Sequence, residues 1–176
     1  LVSYMGVGEP LLNVDGVIES AKKLTQLDIY DNIRFGVSTL IPGKKPFIHL
    51  MDQVIKNNLN IKLHWSLHST QLAARKSLMP SAFGIRESVS LVSQYLDNTK
   101  RPVEIHYTLI NGINDQLRDI KNIDILIDKR IPIKILRFAP HKLEPDLEES
   151  TRVEVFKKSL ESIGYTVEVY STPGRD

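Results

Sequence analysis

Residues 61–67 read IKLHWSL, and their alternation decides the fold. Ile61, Leu63, Trp65 and Leu67 fall on one side of an extended chain, while Lys62, His64 and Ser66, with His68 next in step, fall on the other. The same two-sidedness recurs at 103–109, where Val103, Ile105, Tyr107 and Leu109 oppose Glu104, His106 and Thr108. It recurs again at 33–38, where Ile33, Phe35 and Val37 oppose Arg34, Gly36 and Ser38. Parallel strands covered by helices on both faces are apolar on both faces. These strands keep one polar face. An open sheet with one wet face would explain that, but β-α-β crossovers in one direction would leave that face bare. The reading adopted is a curved sheet, closed or nearly closed into a barrel whose interior takes a polar ligand.

Outward from that stretch, strand-like and helix-like segments alternate along the whole chain. Strands are expected at 1–5, 33–39, 61–67, 103–109, 131–137 and 165–170, and helices near 14–28, 46–58, 84–97, 115–128 and 150–163. GVIESAKKLTQL (16–27) and TRVEVFKKSLESI (151–163) carry apolar residues at three- and four-residue spacing, the amphipathic signature. Ser150 is expected to cap the last helix and Gly164 to end it. This order predicts an α/β fold with a mostly parallel sheet. A full eight-unit barrel takes roughly 250 residues. The 176 residues present therefore predict a partial barrel, read as one domain over 1–176. The irregular piece is FAPHKLEPDLEE (138–149), after the fifth strand.

Composition is that of a globular protein, 41% hydrophobic and 25% charged, with a formal net charge of +2. Basic pairs such as Lys22-Lys23, Lys44-Lys45 and Lys129-Arg130 are scattered, and they read as solvated helix surface unless they converge in space. With no cysteine in the chain, disulfides and thiolate metal sites are excluded within it, and the count is compatible with a cytoplasmic location. No apolar run approaches the ~20 residues of a membrane span, so no membrane partner is expected. Histidines and carboxylates do not recur at zinc-ligand spacing, so no protein-only metal site is expected. Neither a Walker-type lysine loop nor a Gly-x-Ser-x-Gly elbow is present.

In α/β barrels ligands sit on the loops that leave the carboxyl ends of the strands. Here those loops begin Gly6-Val7-Gly8-Glu9-Pro10, Ser38-Thr39, Ser66-Leu67-His68-Ser69, Asn111-Gly112-Ile113-Asn114-Asp115 and Phe138-Ala139-Pro140-His141. Small polar residues at the same end of several strands point to one polar molecule across the mouth. Each residue also has a plain structural explanation. The glycines can serve a tight turn, Glu9 can be a helix-terminal charge, and Asn114-Asp115 reads more readily as a helix cap than as catalytic.

GVGEPLLN (6–13), VST (37–39), SLHS (66–69), LMP (78–80), YTLINGIND (107–115) and GRD (174–176) occur in an order and spacing that resemble one family. It is the radical S-adenosylmethionine (radical SAM) enzymes of the RlmN/Cfr type, which methylate adenine in ribosomal and transfer RNA. The resemblance implies a partial radical SAM β/α barrel and S-adenosylmethionine as cofactor. It also implies a 4Fe-4S cluster on a C-x-x-x-C-x-x-C loop after the first barrel strand. By similarity, Gly8 and Glu9 stand at the methionine amino group, Ser38 at its carboxylate, and Ser66, Leu67 and His68 along ribose and adenine. Ala139 takes the place of an asparagine that helps hold the cofactor. LVSYM (1–5) then corresponds to the second barrel strand, so the fold is expected to be truncated at its N-terminus. The cluster cysteines are expected upstream and a methyl-carrying cysteine after Asp176. On that reading the parent is an enzyme with an RNA substrate and an electron donor, and the chain alone is inactive, with no catalytic residue of its own. Three departures bear on adenine-C2 specificity: Ala139-Pro140, His106 in place of a glutamate before Tyr107, and Leu40-Ile41-Pro42 in place of a glycine-containing turn. Two other readings stand beside it. One is an activase-like or biosynthetic radical SAM enzyme with a non-RNA substrate; the other is a degenerate barrel acting as a non-catalytic binding module.

Overall fold

The computed structural model describes residues 1–27, 32–140 and 146–170. His141 and the GRD of 174–176 lie outside them. The parallel α/β fold expected from the sequence is met. Strands β1 (Val2–Tyr4), β2 (Phe35–Thr39), β3 (Ile61–Ser66), β4 (Val103–Leu109), β5 (Ile133–Arg137) and β6 (Val167–Tyr170) all coincide with expected segments. Between them run α1 (Val14–Gln26), α2 (Lys44–Lys56), α3 (Leu72–Leu78), α4 (Ile85–Thr99), α5 (Leu117–Leu126) and α6 (Val153–Ser162), with a 3-10 turn over Pro10–Asn13.

The described residues form two compact units, one of Leu1–Ser66 with Ser81–Glu104 and one of Leu67–Pro80 with the chain from Ile105 onward. In the first, β1, β2 and β3 pair in parallel, with Val2 opposite Phe35 and Phe35 opposite Ile61. In the second, β4, β5 and β6 do the same, with Ile105 opposite Ile133 and Ile133 opposite Val167.

All the described helices except α3, which was not expected, form where the periodicity places them. Asn13 accepts the Gly16 N–H and so caps α1, whose Val14, Val17, Ile18 and Ala21 make one buried face. In α2 the buried positions are Phe47, Leu50, Met51 and Val54, at the same spacing, and each such side chain contributes roughly 1.5–3 kcal/mol of burial. Gly164, at φ +100°, ends α6 as expected. Ser150 does not cap α6 directly: the helix starts at Val153, and Ser150 Oγ accepts the Arg152 N–H in the turn before it.

The polar strand faces turn out to be buried at their centre and only half-buried at Lys62, Ser66 and Thr108. Glu104, His64 and His106 are each less than a tenth exposed. In the first unit Lys62 Nζ lies 2.7 Å and His64 Nδ1 3.1 Å from the two carboxylate oxygens of Glu104. Gly36 makes room for this group, since a Cβ there would stand 3.1 Å from His64 Nε2.

Each unit also ties a helix to its strand layer through one buried tyrosine. Tyr95 of α4 donates to the Ile61 carbonyl at 2.9 Å, and Tyr165 donates to the carbonyls of Ile123 and Ile127 at 3.1 and 2.8 Å. Tyr95→Phe and Tyr165→Phe, each leaving a buried carbonyl without this donor, are expected to cost about 1–3 kcal/mol. Urea denaturation checks this as a lowered midpoint at unchanged slope.

Candidate functional site

In the first unit, the loop after β1 turns at Gly8, whose φ of +90° favours glycine. Nothing lies within 4 Å of the place a Gly8 Cβ would take. A cavity of about 380 Å³ opens there, bordered by Ser3, Tyr4, Gly6, Gly8, Glu9 and Asn13 among others. Glu9 is committed to the loop itself. Oε1 accepts the Leu11 N–H at 3.0 Å and the Thr39 hydroxyl at 2.6 Å, and Oε2 accepts the Leu40 N–H at 3.0 Å. Thr39 Oγ1 in turn accepts the Ile41 N–H at 2.8 Å. Glu9 thus welds the β1 loop to the end of β2.

Ile41 shows what this brace is for. Its φ is +58°, a region where a β-branched residue is an outlier, and its side chain is fully buried. Where the resemblance expects a glycine-containing turn, Ile41 takes the backbone conformation a glycine would take. Glu9 and Thr39 hold it there. Ser38, beside them, is half-buried, and its hydroxyl makes no hydrogen bond among the described residues. Ser66 closes β3, also half-buried.

The second unit holds the turn Leu67-His68-Ser69. The Leu67 side chain is core, fully buried. Its N–H donates to the His106 carbonyl, and its carbonyl accepts the Ser69 N–H and Arg75 Nη1. His68 follows at φ +49°. Its Nδ1 accepts the Thr108 N–H at 2.9 Å, so Nδ1 carries no proton and the neutral ring is the Nε2–H tautomer. Burial lowers the His68 pKa to about 4, helped by the charges of Arg75 and His106. The ring borders a cavity of about 420 Å³ with Met79, Thr108, Ile110, Ile113 and Phe138, in the size range of small-ligand pockets. Ala139 is exposed and is not among the residues around this cavity; its neighbour Phe138 is.

Two features here were beyond sequence reasoning. The seven residues of α3 are too short to show a period, yet they carry Arg75 into the interior, where burial lowers its pKa to about 10 and leaves it charged at neutral pH. The loop after β4 is also not a simple helix cap. Gln116 caps α5, in a box with Asp119. Asp115 instead binds the N–H of Gly112 and the hydroxyl of Ser150, and Asn114 binds the backbone of the loop. Asp119, fully buried, has its pKa raised by burial, against the hydrogen bonds from Gln71 and Gln116.

With these geometries in place the comparisons are informative. No protein-family model matches the chain. A "Probable dual-specificity RNA methyltransferase RlmN" of Thermotoga sp. (strain RQ2) is 32% identical over 99% of the chain and 51% of the relative. Another of that name, from Chlorobaculum tepidum, is 35% identical over 76% of the chain and 36% of the relative. A crystal structure of a radical SAM methyltransferase from Sphaerobacter thermophilus superposes with a TM-score of 0.85 at 26% identity, over 98% of this chain and 51% of that one. The chain is an RlmN homologue. It spans about half the length, or less, of the RlmN relatives it matches. At 19% identity, a domain of pyruvate-formate lyase-activating enzyme from Bacteroides vulgatus shares the fold, with a TM-score of 0.72 over 97% of this chain and 98% of that one. Among the described residues of this RlmN homologue, no helix is long and apolar enough to cross a membrane.

Two outcomes follow from the site geometry. Glu9→Gln replaces an acceptor oxygen by an amide donor facing N–H or hydroxyl donors, and is expected to lower stability by about 1–3 kcal/mol in thermal or urea unfolding. His68 binds a proton less readily folded than unfolded. The stability its neutral form brings is complete above its ordinary pKa of 6.5 and is lost as pH falls toward about 4. Melting temperatures from pH 7 to 4 are expected to fall less steeply in His68→Asn, which keeps a side chain tolerant of positive φ.

Proposed function

We propose that the chain is the cofactor-holding core of a radical SAM enzyme that methylates adenine, at C2, in ribosomal or transfer RNA. The observation that carries the reading is similarity to an RlmN protein over 99% of the chain; the strand-end residues that the resemblance assigns to the cofactor support it. S-adenosylmethionine supplies, when bound in this family, the methyl group and a 5′-deoxyadenosyl radical.

The chain's residues fit that molecule. The open turn at Gly8 lets a ligand approach the backbone closely, as a side chain there would prevent. The unbonded Ser38 hydroxyl is a donor suited to a carboxylate. In the second unit, the His68 Nε2–H makes no hydrogen bond among the described residues and is a donor for a purine ring nitrogen, and the apolar cavity beside it suits a base. Glu9 and Leu67 act by holding their turns. Ser66 is assigned by the resemblance alone to the ribose and adenine side, and Ala139 stands where the family has an asparagine that helps hold the cofactor. A four-iron cluster is held by thiolates, and the chain has no cysteine, so its own residues do not fit that group. The RNA and the electron donor belong to the whole protein's reaction.

S-adenosylhomocysteine keeps the amino-acid and nucleoside parts of the cofactor without the reactive sulfonium. Calorimetric titration into the full chain is expected to show saturable binding, weakened about tenfold by Ser38→Ala or His68→Ala, or about 1.4 kcal/mol. Absence of binding to the folded wild-type chain would overturn the reading. Binding unchanged in both variants would remove these residues from the site.

A further inference from the structure

Asn114 lies in the loop after β4, fully buried, and among the described residues its side chain makes no hydrogen bond to a helix N-terminus. Its amide nitrogen donates to the carbonyls of His68 and Thr108, the latter at 2.7 Å. Its amide oxygen accepts the Ile110 N–H at 2.7 Å. Its own backbone carbonyl accepts the Tyr107 hydroxyl at 3.0 Å. One side chain therefore fastens the His68 turn to both sides of the β4 terminus, and Tyr107 fixes the residue that does it.

This matters because the His68 turn has no reason of its own to hold its shape. His68 sits at φ +49°, uncommon for a residue with a Cβ. The peptide carbonyl that Asn114 grips is the one whose orientation follows from that conformation. On the preceding side Arg75 grips the Leu67 carbonyl. The imidazole then meets the Thr108 N–H, whose carbonyl Asn114 also holds. Two carbonyls and one N–H are matched by one donor pair and one acceptor. Of the common side chains, only Asn offers that set at this length. Aspartate would face both carbonyls with oxygen, and alanine would leave all three groups buried without this partner.

We propose that Asn114 is a positioning residue for His68, fixing the ring so that Nδ1 faces the Thr108 N–H and Nε2–H faces the adjoining cavity. Asn114 touches no ligand in this role. It selects one tautomer and one orientation of a group that does, and so favours ligands that present a hydrogen-bond acceptor there, such as a purine ring nitrogen, over those that present a donor. The ligand part rests on the function proposed above; the tautomer part does not.

The test separates them. Long-range proton–nitrogen NMR on the full chain with labelled histidine reads the tautomer and titration of His68. Wild type is expected to show Nε2–H alone at pH 7 and no titration near pH 6.5. Asn114→Ala and Asn114→Asp are expected to give mixed tautomers and a midpoint moved up toward 6.5. His68→Asn identifies the His68 signals. S-adenosylhomocysteine affinity is expected to fall by up to about tenfold in the Asn114 variants, the loss expected of His68→Ala itself, while Asn114→Ala combined with His68→Ala binds no more weakly than His68→Ala alone. If folded Asn114→Ala keeps the wild-type tautomer and titration, the positioning role is overturned. Should both variants fail to fold, wild type decides: an Nδ1–H tautomer or a midpoint near 6.5 would equally overturn it. If NMR behaves as expected and wild type binds no S-adenosylhomocysteine, the positioning stands and the functional reading falls.

Discussion

A buried carboxylate must be paired, and much of the first unit follows from the pairing of Glu104. With only 6% of its surface exposed, Glu104 lies against the Lys62 ammonium at 2.7 Å and the His64 ring at 3.1 Å. Removing one partner from such a group typically costs 3–5 kcal/mol, because the remaining charge stays where water cannot reach it. The pairing needs Lys62 and His64 on one face of β3, which the period-2 geometry of a strand provides. It also needs empty space opposite the ring, which Gly36 of β2 supplies. A one-residue slip of β3 would send Trp65 and Leu63 to the polar side and Lys62 to the core. The polar face therefore specifies register as strongly as the apolar face does.

The loops beyond the strands obey the same rule in a different form. Each is held by one side chain that satisfies several backbone groups: Glu9 in the first unit, Asn114 in the second. Each also stabilises a residue with a side chain at positive φ, Ile41 and His68 respectively. Such conformations persist only where their surroundings over-determine them, and they gather at ligand sites. A glycine would adopt them freely but would not hold them. Here the turns are rigid because the surroundings enforce what the residue itself disfavours, and a rigid turn presents its ligand-facing atoms in one arrangement.

Much of this was legible in the sequence, and the reasons are local. Apolar spacing in GVIESAKKLTQL needs no tertiary information to become α1, and alternation in IKLHWSL needs none to become β3. Gly8 and Gly164 announced their positive φ by being glycine. The residues read as cofactor contacts came from motif order. Where reading failed, the partner was distant. Asn114 resembled a cap because Asn often is one, and nothing nearby shows that its amide reaches His68, which is 46 positions earlier. Glu9 read as a helix-terminal charge or, by resemblance, as a neighbour of the cofactor's amino group, and nothing nearby in the chain shows its partners at Thr39 and Leu40, 30 and 31 positions away. Arg75 sat in a helix too short to announce itself.

The sequence by itself determined the order of the strands and of every helix but α3 among the described residues, the polar strand faces, and the small polar residues at the strand ends. Those depend on the 3.6- and 2-residue periods and on individual residue chemistry, which neighbours in the chain fully express. Only the tertiary structure decided which polar groups bind a neighbour and which stay available. Glu9 and Asn114 are spent on holding backbone, whereas Ser38 Oγ and His68 Nε2 make no hydrogen bond among the described residues. The physical reason is that a hydrogen bond is a matter of distance and direction, and both are set by how remote segments fold together.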